Sequence, residues 1–334
     1  MNALGPRLTA LLALGMLCLL GGVVTVALVE GADRALRIGI LSSGTLEVRG
    51  GLEQSLLQGL HDQGYVEGKN LVVERRYASS LMESMSDAAR ELADMKLDAI
   101  VTTCSPSTRE AKQATASTPI VMVAVSDPVG QKIVASLAKP GQNVTGLSSQ
   151  AEDLLPKRLE LLAAILPKPT KIAVLVNASN PVHGRGWQIL ETAAAQTKLK
   201  LTRIDVRAGG DLPSAIDAAV RDHAGALFVL PDDPLLYNIR ASIVELASRH
   251  RLPDFYWASE YVEAGGLMSY GENLRGSYRS AAVYIDKVSK GARPADLPVA
   301  QPTRFELVIN MKTAKALGLT VPASVLLRAD RVIE

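Results

Sequence analysis

Cysteine is almost missing from this chain. Of the two present, Cys18 falls in an apolar N-terminal stretch and Cys104 stands alone in the remainder. Without that stretch no internal disulfide can form, and no C-x-x-C pair offers thiolates to a metal. Histidine is as sparse: His61, His183, His223 and His250 are scattered, with no H-x-x-x-H spacing and no acidic cluster beside them, so the sequence carries no metal site and no base placed to activate Cys104. Aromatic residues make up only 4%. Charge of one sign is lacking too. Thirty-six basic residues against 34 acidic ones, without long runs, give no basic face for nucleic acid. No G-x-x-x-x-G-K-[ST] loop is present to bind a nucleoside triphosphate, and no cofactor fingerprint appears. These absences point away from nucleases, regulators, ATPases and cysteine or metal enzymes.

A single long hydrophobic run is present, Leu8 to Val29, preceded by Arg7. That arrangement is an export signal, or an anchor that keeps residues 8–29 in the membrane, and it assigns residues 1–35 to a signal peptide or N-terminal anchor. Thr25 with Ala27, and Glu30 with Ala32, are the candidate small-residue cleavage pairs. Cys18, in LGMLC, lacks the small residues that precede a lipidated cysteine and reads as part of the apolar run. The rest of the chain then works in the periplasm or elsewhere outside the cytoplasm.

From Leu36 short apolar runs alternate with helical periods: RIGIL, a helix carrying Val48, Leu52, Leu56 and Leu60, LVVERRY, a helix from Met85 to Met95, and DAIVTT. A helix near Arg109–Ala116, PIVMVAV, a short helix from Lys132 to Ala138 and NVTGLS follow. This is the pattern of parallel sheets with helices on both faces. A second unit repeats it: a helix from Leu154 to Leu166, KIAVLV, a helix to Lys198, LKLTRIDV, a helix to His223 and ALFVL. RIGILSSG aligns with KIAVLVNASN, DAIVTTCSPS with GALFVLPDDP, and PIVMVAVSDP with PDFYWASEYV. The fold class is therefore α/β, two Rossmann-like lobes of similar plan.

In open parallel sheets ligands lie beyond the carboxyl ends of the strands. Six polar loops then face one cleft, and Ser, Thr, Asn and Asp dominate them, which suits reversible capture of a small solute. In DAIVTTCSPSTREA, Ser105 is placed as a helix cap before Pro106, and Thr103, Cys104 and Ser105 form a polar wall able to receive a carboxylate. Ser42 and Ser43 follow the first strand, and Asn177 and Asn180 stand at the matching place in the second unit. Asp127 in SDPV, which Ser126 precedes, and Asp232 with Asp233 in PDDP, are acceptors for a ligand amine or hydroxyl, or else simply turn formers before proline. Tyr270, after the glycine pair of GGLMSYGEN, offers a ring to an apolar ligand body, whereas Trp257 and Tyr256 read equally as core. Asn143-Val144-Thr145 fits a glycosylation pattern but reads as strand.

The ordered set RIGIL, LHDQGYVEGKNLVVERRYA, SDPVGQKIVASLAKPGQNVTGLS, GGLMSYGENL and LVINMKTAKALGLTVP resembles the tryptophan-binding-type substrate-binding proteins of ABC transporters. The resemblance implies a type I periplasmic binding protein architecture joined by a multi-crossover hinge, with lobe one at 36–147 and 274–303 and lobe two at 148–273 and 304–334. It also implies a monomer that captures a small organic solute, in some members an aromatic amino acid, and delivers it to ABC permease subunits in the membrane, without cofactor, metal or catalysis. Ligand contacts carried over from the family fall on the loops already named. SSGTLEV and Cys104 depart from the family pattern, and this puts tryptophan itself in doubt as the solute. Two other readings share the cleft: a sensor that hands its ligand state to a membrane receptor, and an enzyme.

Overall fold

The structure, a computed structural model, describes residues 34–78, 82–167, 170–196 and 199–334. The apolar stretch Leu8–Val29, with Cys18 and the export or anchor assignment, lies outside the described residues. Among the described residues no helix is long and apolar enough to cross a membrane.

Strands β1 (Leu36–Ser43), β2 (Leu71–Ala78), β3 (Ala99–Thr102), β4 (Ile120–Ser126) and β5 (Val144–Ser149) form a parallel sheet in the order β2-β1-β3-β4-β5. Three helices belong to the same stretch: α1 (Leu46–Asp62), α2 (Met82–Asp94) and α3 (Ser105–Ala114). Successive strand residues point to opposite faces. Ile38, Ile40 and Val101 therefore pack with Leu52, Leu56 and Leu60 of α1, while Leu41, Ile100 and Met122 pack with Ala88, Ala89 and Leu92 of α2. Both faces are covered, which explains why these strands read as continuous apolar runs.

The second sheet contains β6 (Lys171–Asn177), β7 (Lys200–Val206), β8 (Ala226–Val229), β9 (Asp254–Tyr256), β10 (Met268–Gly271), β11 (Glu306–Asn310) and β12 (Arg331–Ile333), in the order β12-β11-β10-β9-β8-β6-β7. It is not wholly parallel: β10 and β11 run antiparallel. The chain reaches β11 from the other lobe and not through a local βαβ crossover, so the handedness rule for parallel neighbours does not bind it. Helices α4 (Leu155–Ile165), α5 (Pro181–Ala195), α6 (Leu212–Arg221), α7 (Pro234–Asn238), α8 (Arg240–Arg249) and α9 (Ser259–Glu263) precede β10. After it come α10 (Leu274–Ser289), α11 (Met311–Ala316) and α12 (Ala323–Leu326). Although α10 follows β10, its Ala281, Ala282 and Ile285 join the core of the first sheet beside α1.

The helix expected from Lys132 to Ala138 does not form. Asp127 and Lys132 both have positive φ, 37° and 57°, and the Asp127 carboxylate accepts Gly130 N–H, so the segment winds as successive turns. Where the chain passes between the lobes, Arg158 fastens two crossings. Fully buried, it donates from Nε to Tyr270 O (2.7 Å) and from Nη1 to Ala151 O (2.6 Å). Gly271 permits this closeness, because a Cβ there would stand 1.9 Å from Trp257 O.

Candidate functional site

The strand ends of both sheets meet at a narrow cleft. From the first lobe, Thr103, Cys104 and Ala124 line it at the ends of β3 and β4, Arg49 and Leu52 line it from α1, and Leu274 and Tyr278 from α10. The second lobe contributes Asp232, Asp233 and Pro234 after β8, Tyr237 from α7 and Trp257 after β9. About 20 Å³ of open volume remains between them, room for about one water molecule. The lobes are thus closed on each other in this state.

Aromatic and cationic groups are stacked on the second-lobe wall. The Arg49 guanidinium lies 4.3 Å and that of Arg240 4.6 Å from the Tyr237 ring centroid, close enough for cation–π attraction. Arg49 is aimed by Ser43, whose carbonyl accepts from Nε at 3.1 Å and whose hydroxyl accepts from Nη2 at 3.0 Å. Tyr237 packs in turn on Trp257 and Tyr261, with centroids 5.8 and 6.2 Å away. Burial pushes the Tyr237 phenol up and away from ionisation.

Polar bridges cross the cleft. Ser105 donates to Asp232 Oδ2 at 3.0 Å, Arg240 Nη2 to Val48 O at 3.3 Å, and Arg185 Nη1 to Asp127 Oδ2 at 2.6 Å. Asp232 is largely withdrawn from water, and that desolvation, with Asp233 nearby, raises its carboxyl to about 8 against the partial relief of the Ser105 hydroxyl.

The residues expected at the site separate into four groups. Thr103, Cys104 and Asp232 line the cleft. Ser42, Ser43, Ser105, Asn177 and Asn180 stand one layer behind: Thr103 donates to Ser42 Oγ at 3.1 Å, and both asparagine amides donate to Asp233 Oδ2 at 2.9 and 2.8 Å. Asp233 also caps α7 by accepting Leu236 N–H. Ser126 and Asp127 border a separate hollow with Glu152 and Arg185, and the Asp127 carboxylate is held by Arg185 and Gly130. Asp127 and Asp232 are also turn formers, each with positive φ. Tyr270 does not face the cleft. Its place on β10 turns it to the outer core, 6.1 Å from the Phe305 ring, since β10 exposes only alternate residues to each side.

Ser105 proves to be the first residue of α3, and Cys104 occupies the cap position. Ser107 satisfies the helix start, its hydroxyl accepting Thr103 N–H at 3.1 Å and Cys104 N–H at 3.2 Å. Cys104 is 5% exposed, its thiol has Ser107 Oγ at 3.3 Å, and no described histidine adjoins it. His183, the histidine nearest a strand end, is buried: Nδ1 accepts Asn177 N–H and Nε2 reaches Pro231 O, which fixes the ring as a brace. Among the described residues no group of three or more His, Cys, Asp or Glu could hold a metal ion.

Arg49, Tyr237 and Tyr278 are wall residues that strand-end reasoning does not reach, while Trp257, which the sequence leaves equally open as core, stands in the wall after β9. A cation on the apolar stripe of α1, three residues before Leu52, was the available signal for Arg49. For the others it was the crowding of tyrosines between Tyr237 and Tyr284 in a chain poor in aromatics.

Residues 41–333 match the family described as ABC transporter substrate binding protein. The chain belongs to that family. It is 29% identical over 269 residues to a tyrosine-binding protein of Clostridioides difficile (strain R20291), covering 80% of this chain and 76% of that one. Among solved structures it is similar to an ABC domain in complex with L-Trp from Streptococcus pneumonia (26% identity, 90% of this chain and 100% of that one, TM-score 0.82). It is also similar to the ligand-free, open structure of a substrate binding protein with adhesive properties from Clostridium difficile (27% identity, 90% and 99%, TM-score 0.64). The fold of this family member is that of the type I periplasmic binding proteins, mixed α/β in two lobes.

Proposed function

We propose that this protein is the extracytoplasmic solute receptor of an ABC importer, that it captures an aromatic amino acid between its lobes, and that it presents the closed complex to membrane permease subunits. The observation that carries this reading is the composition of the cleft. One cation, Arg49, lines the cleft from the first lobe, and the carboxyl of Asp232 lines it from the second beside Asp233, whose oxygens are taken up by Leu236 N–H and two asparagine amides; these two serve the ends of a zwitterion, and Tyr237, Trp257 and Tyr278 supply an aromatic lining. The relatives support it, one named for tyrosine and one holding L-Trp. At nearly equal identity this chain overlays the L-Trp complex more closely than the open, ligand-free relative, which is the relation expected of a closed receptor.

In this reading the lobes comprise 36–147 with 274–303, and 148–273 with 304–334, and the chain is a monomer exported through residues 1–35. Solute touching both lobes favours closure by its differential affinity, and no bond is made or broken in it. Transport energy comes from a separate ATPase. A thermal-shift screen against amino acids, other small carboxylates, purines and sugars tests the proposal. Saturable stabilisation by an aromatic amino acid, lost in Arg49→Ala and Asp232→Ala, is expected. No shift with any amino acid overturns it.

A further inference from the structure

Behind the aromatic wall lies a carboxylate with nothing to hold. Glu260, in the first turn of α9, is 7% exposed, and neither Oε1 nor Oε2 has a hydrogen-bond partner on another residue. A buried acceptor left unmatched is destabilising, and more so when charged. The cations that could serve it are engaged. Arg275 Nη1 comes only to 4.0 Å, and its fork is spent on Glu263 at 2.9 and 2.7 Å. Arg240 donates to Tyr237 O and Val48 O and stacks on the Tyr237 ring. Glu260 does not itself line the cleft, but it lies directly behind the lining: Tyr261, the next residue on α9, packs with its ring centroid 6.2 Å from that of Tyr237 and 6.3 Å from that of Trp257.

The polar groups of the cleft are distributed unevenly. Thr103, Cys104, Ser105 and Asp232 gather at the strand ends, where a zwitterionic head would be met. Glu260 is on the aromatic side, three residues after Trp257 of the lining and next to Tyr261, whose ring packs on both Tyr237 and Trp257. A ligand group reaching that side comes from the ring end of an aromatic solute.

We propose that Glu260 accepts a hydrogen bond from a ring donor of the solute, a phenol O–H or an indole N–H, so that the cleft selects tyrosine or tryptophan over phenylalanine. The inference rests on the reading of the cleft as an aromatic amino-acid site and adds its specificity element. A buried acceptor rejects a ligand lacking the matching donor, since binding it would seal the acceptor unpaired.

The test is calorimetric titration of the purified protein with L-tyrosine, L-tryptophan and L-phenylalanine, for the unaltered chain and for Glu260→Gln and Glu260→Leu. The unaltered chain is expected to bind tyrosine or tryptophan at least about tenfold more tightly than phenylalanine, as loss of a specific buried hydrogen bond requires. Glu260→Leu is expected to bring the preferred ligand and phenylalanine within about threefold of each other while its ligand-free melting temperature holds or rises, because a desolvated carboxylate has gone. Glu260→Gln, which retains an acceptor, is expected to keep part of the preference. Equal affinity for phenylalanine in the unaltered chain, or a preference that survives in Glu260→Leu, overturns the proposal and leaves the amino-acid reading standing. An equal loss for all three ligands in both variants also overturns it, by making Glu260 an anchor for the ammonium group. Absence of binding to all three in the unaltered chain overturns both.

Discussion

Asp233 shows how much one side chain can organise. Its Oδ1 accepts Leu236 N–H at 2.8 Å, and its Oδ2 gathers the amides of Asn177 and Asn180 from the loop after β6. Asp233→Ala strands three donors, most of them out of water, and at about 1 kcal/mol or more for each the expected loss is about 3 kcal/mol in urea unfolding. Cys104→Ser, by contrast, exchanges one small buried group for another that can keep the contact with Ser107, and ligand affinity is expected to change less than about threefold, whereas a cysteine-dependent reaction would be abolished. Thr103, Cys104 and Asp232 were legible because a strand followed by Ser, Thr or Asp has only one place to put those groups. Asp127 and Tyr270 were not. The first is claimed by Arg185 across the lobes, and the second is turned outward by strand alternation, which a run as short as Met268–Gly271 leaves ambiguous in sequence.

At the scale of elements, the duplicated order of strands and most of the helices between them follow from hydrophobic period, although the helix expected at Arg109–Ala116 begins four residues earlier at Ser105 and the one expected at Lys132–Ala138 is a run of turns. What period could not reveal is how two loops touch. Gly44, after β1, has φ of +93°, and a Cβ there would come 2.7 Å from the Asn238 amide at the end of α7 in the opposite lobe. Gly44→Val is therefore expected to obstruct closure: affinity falls about tenfold or more, and the ligand-saturated protein stays larger by small-angle scattering than the unaltered chain. Arg158 carries a complementary expectation. Arg158→Met removes the donors that fasten Ala151 and Tyr270 and takes a cation from the neighbourhood of Glu272, so a destabilisation of about 3 kcal/mol is expected from denaturant unfolding. A lone arginine within LLPKRLELLAAI reads as a surface residue of an amphipathic helix, and only the crossing of two segments over it explains its burial.

For the molecule as a whole, buried acids set the response to pH. Desolvation raises the carboxyls of Asp232 to about 8, Glu272 to about 7 and Asp254 to about 6, all above an unfolded value near 4. An acid raised on folding binds a proton more tightly in the native state, so its contribution is complete below about pH 4 and is lost as pH climbs towards its folded value. His183 works in the opposite direction, since burial holds it neutral and an unfolded chain gains a proton there below about pH 6.5. Three carboxyls outweigh one imidazole, and the ligand-free melting temperature is expected to fall from pH 5 to pH 8, with Asp232→Asn flattening the upper part of that slope. The same residue ties pH to shape. Ser105 of the first lobe bonds the Asp232 carboxyl and helps to cover it, so parting the lobes rewets the carboxylate and returns its affinity for protons towards normal. Raising the pH from 6 to 9 is thus expected to shift the unliganded protein towards the open form, read as a larger radius of gyration. An unchanged radius across that range would mean that Asp232 is equally buried in both states and that the Ser105 bridge does not report on closure.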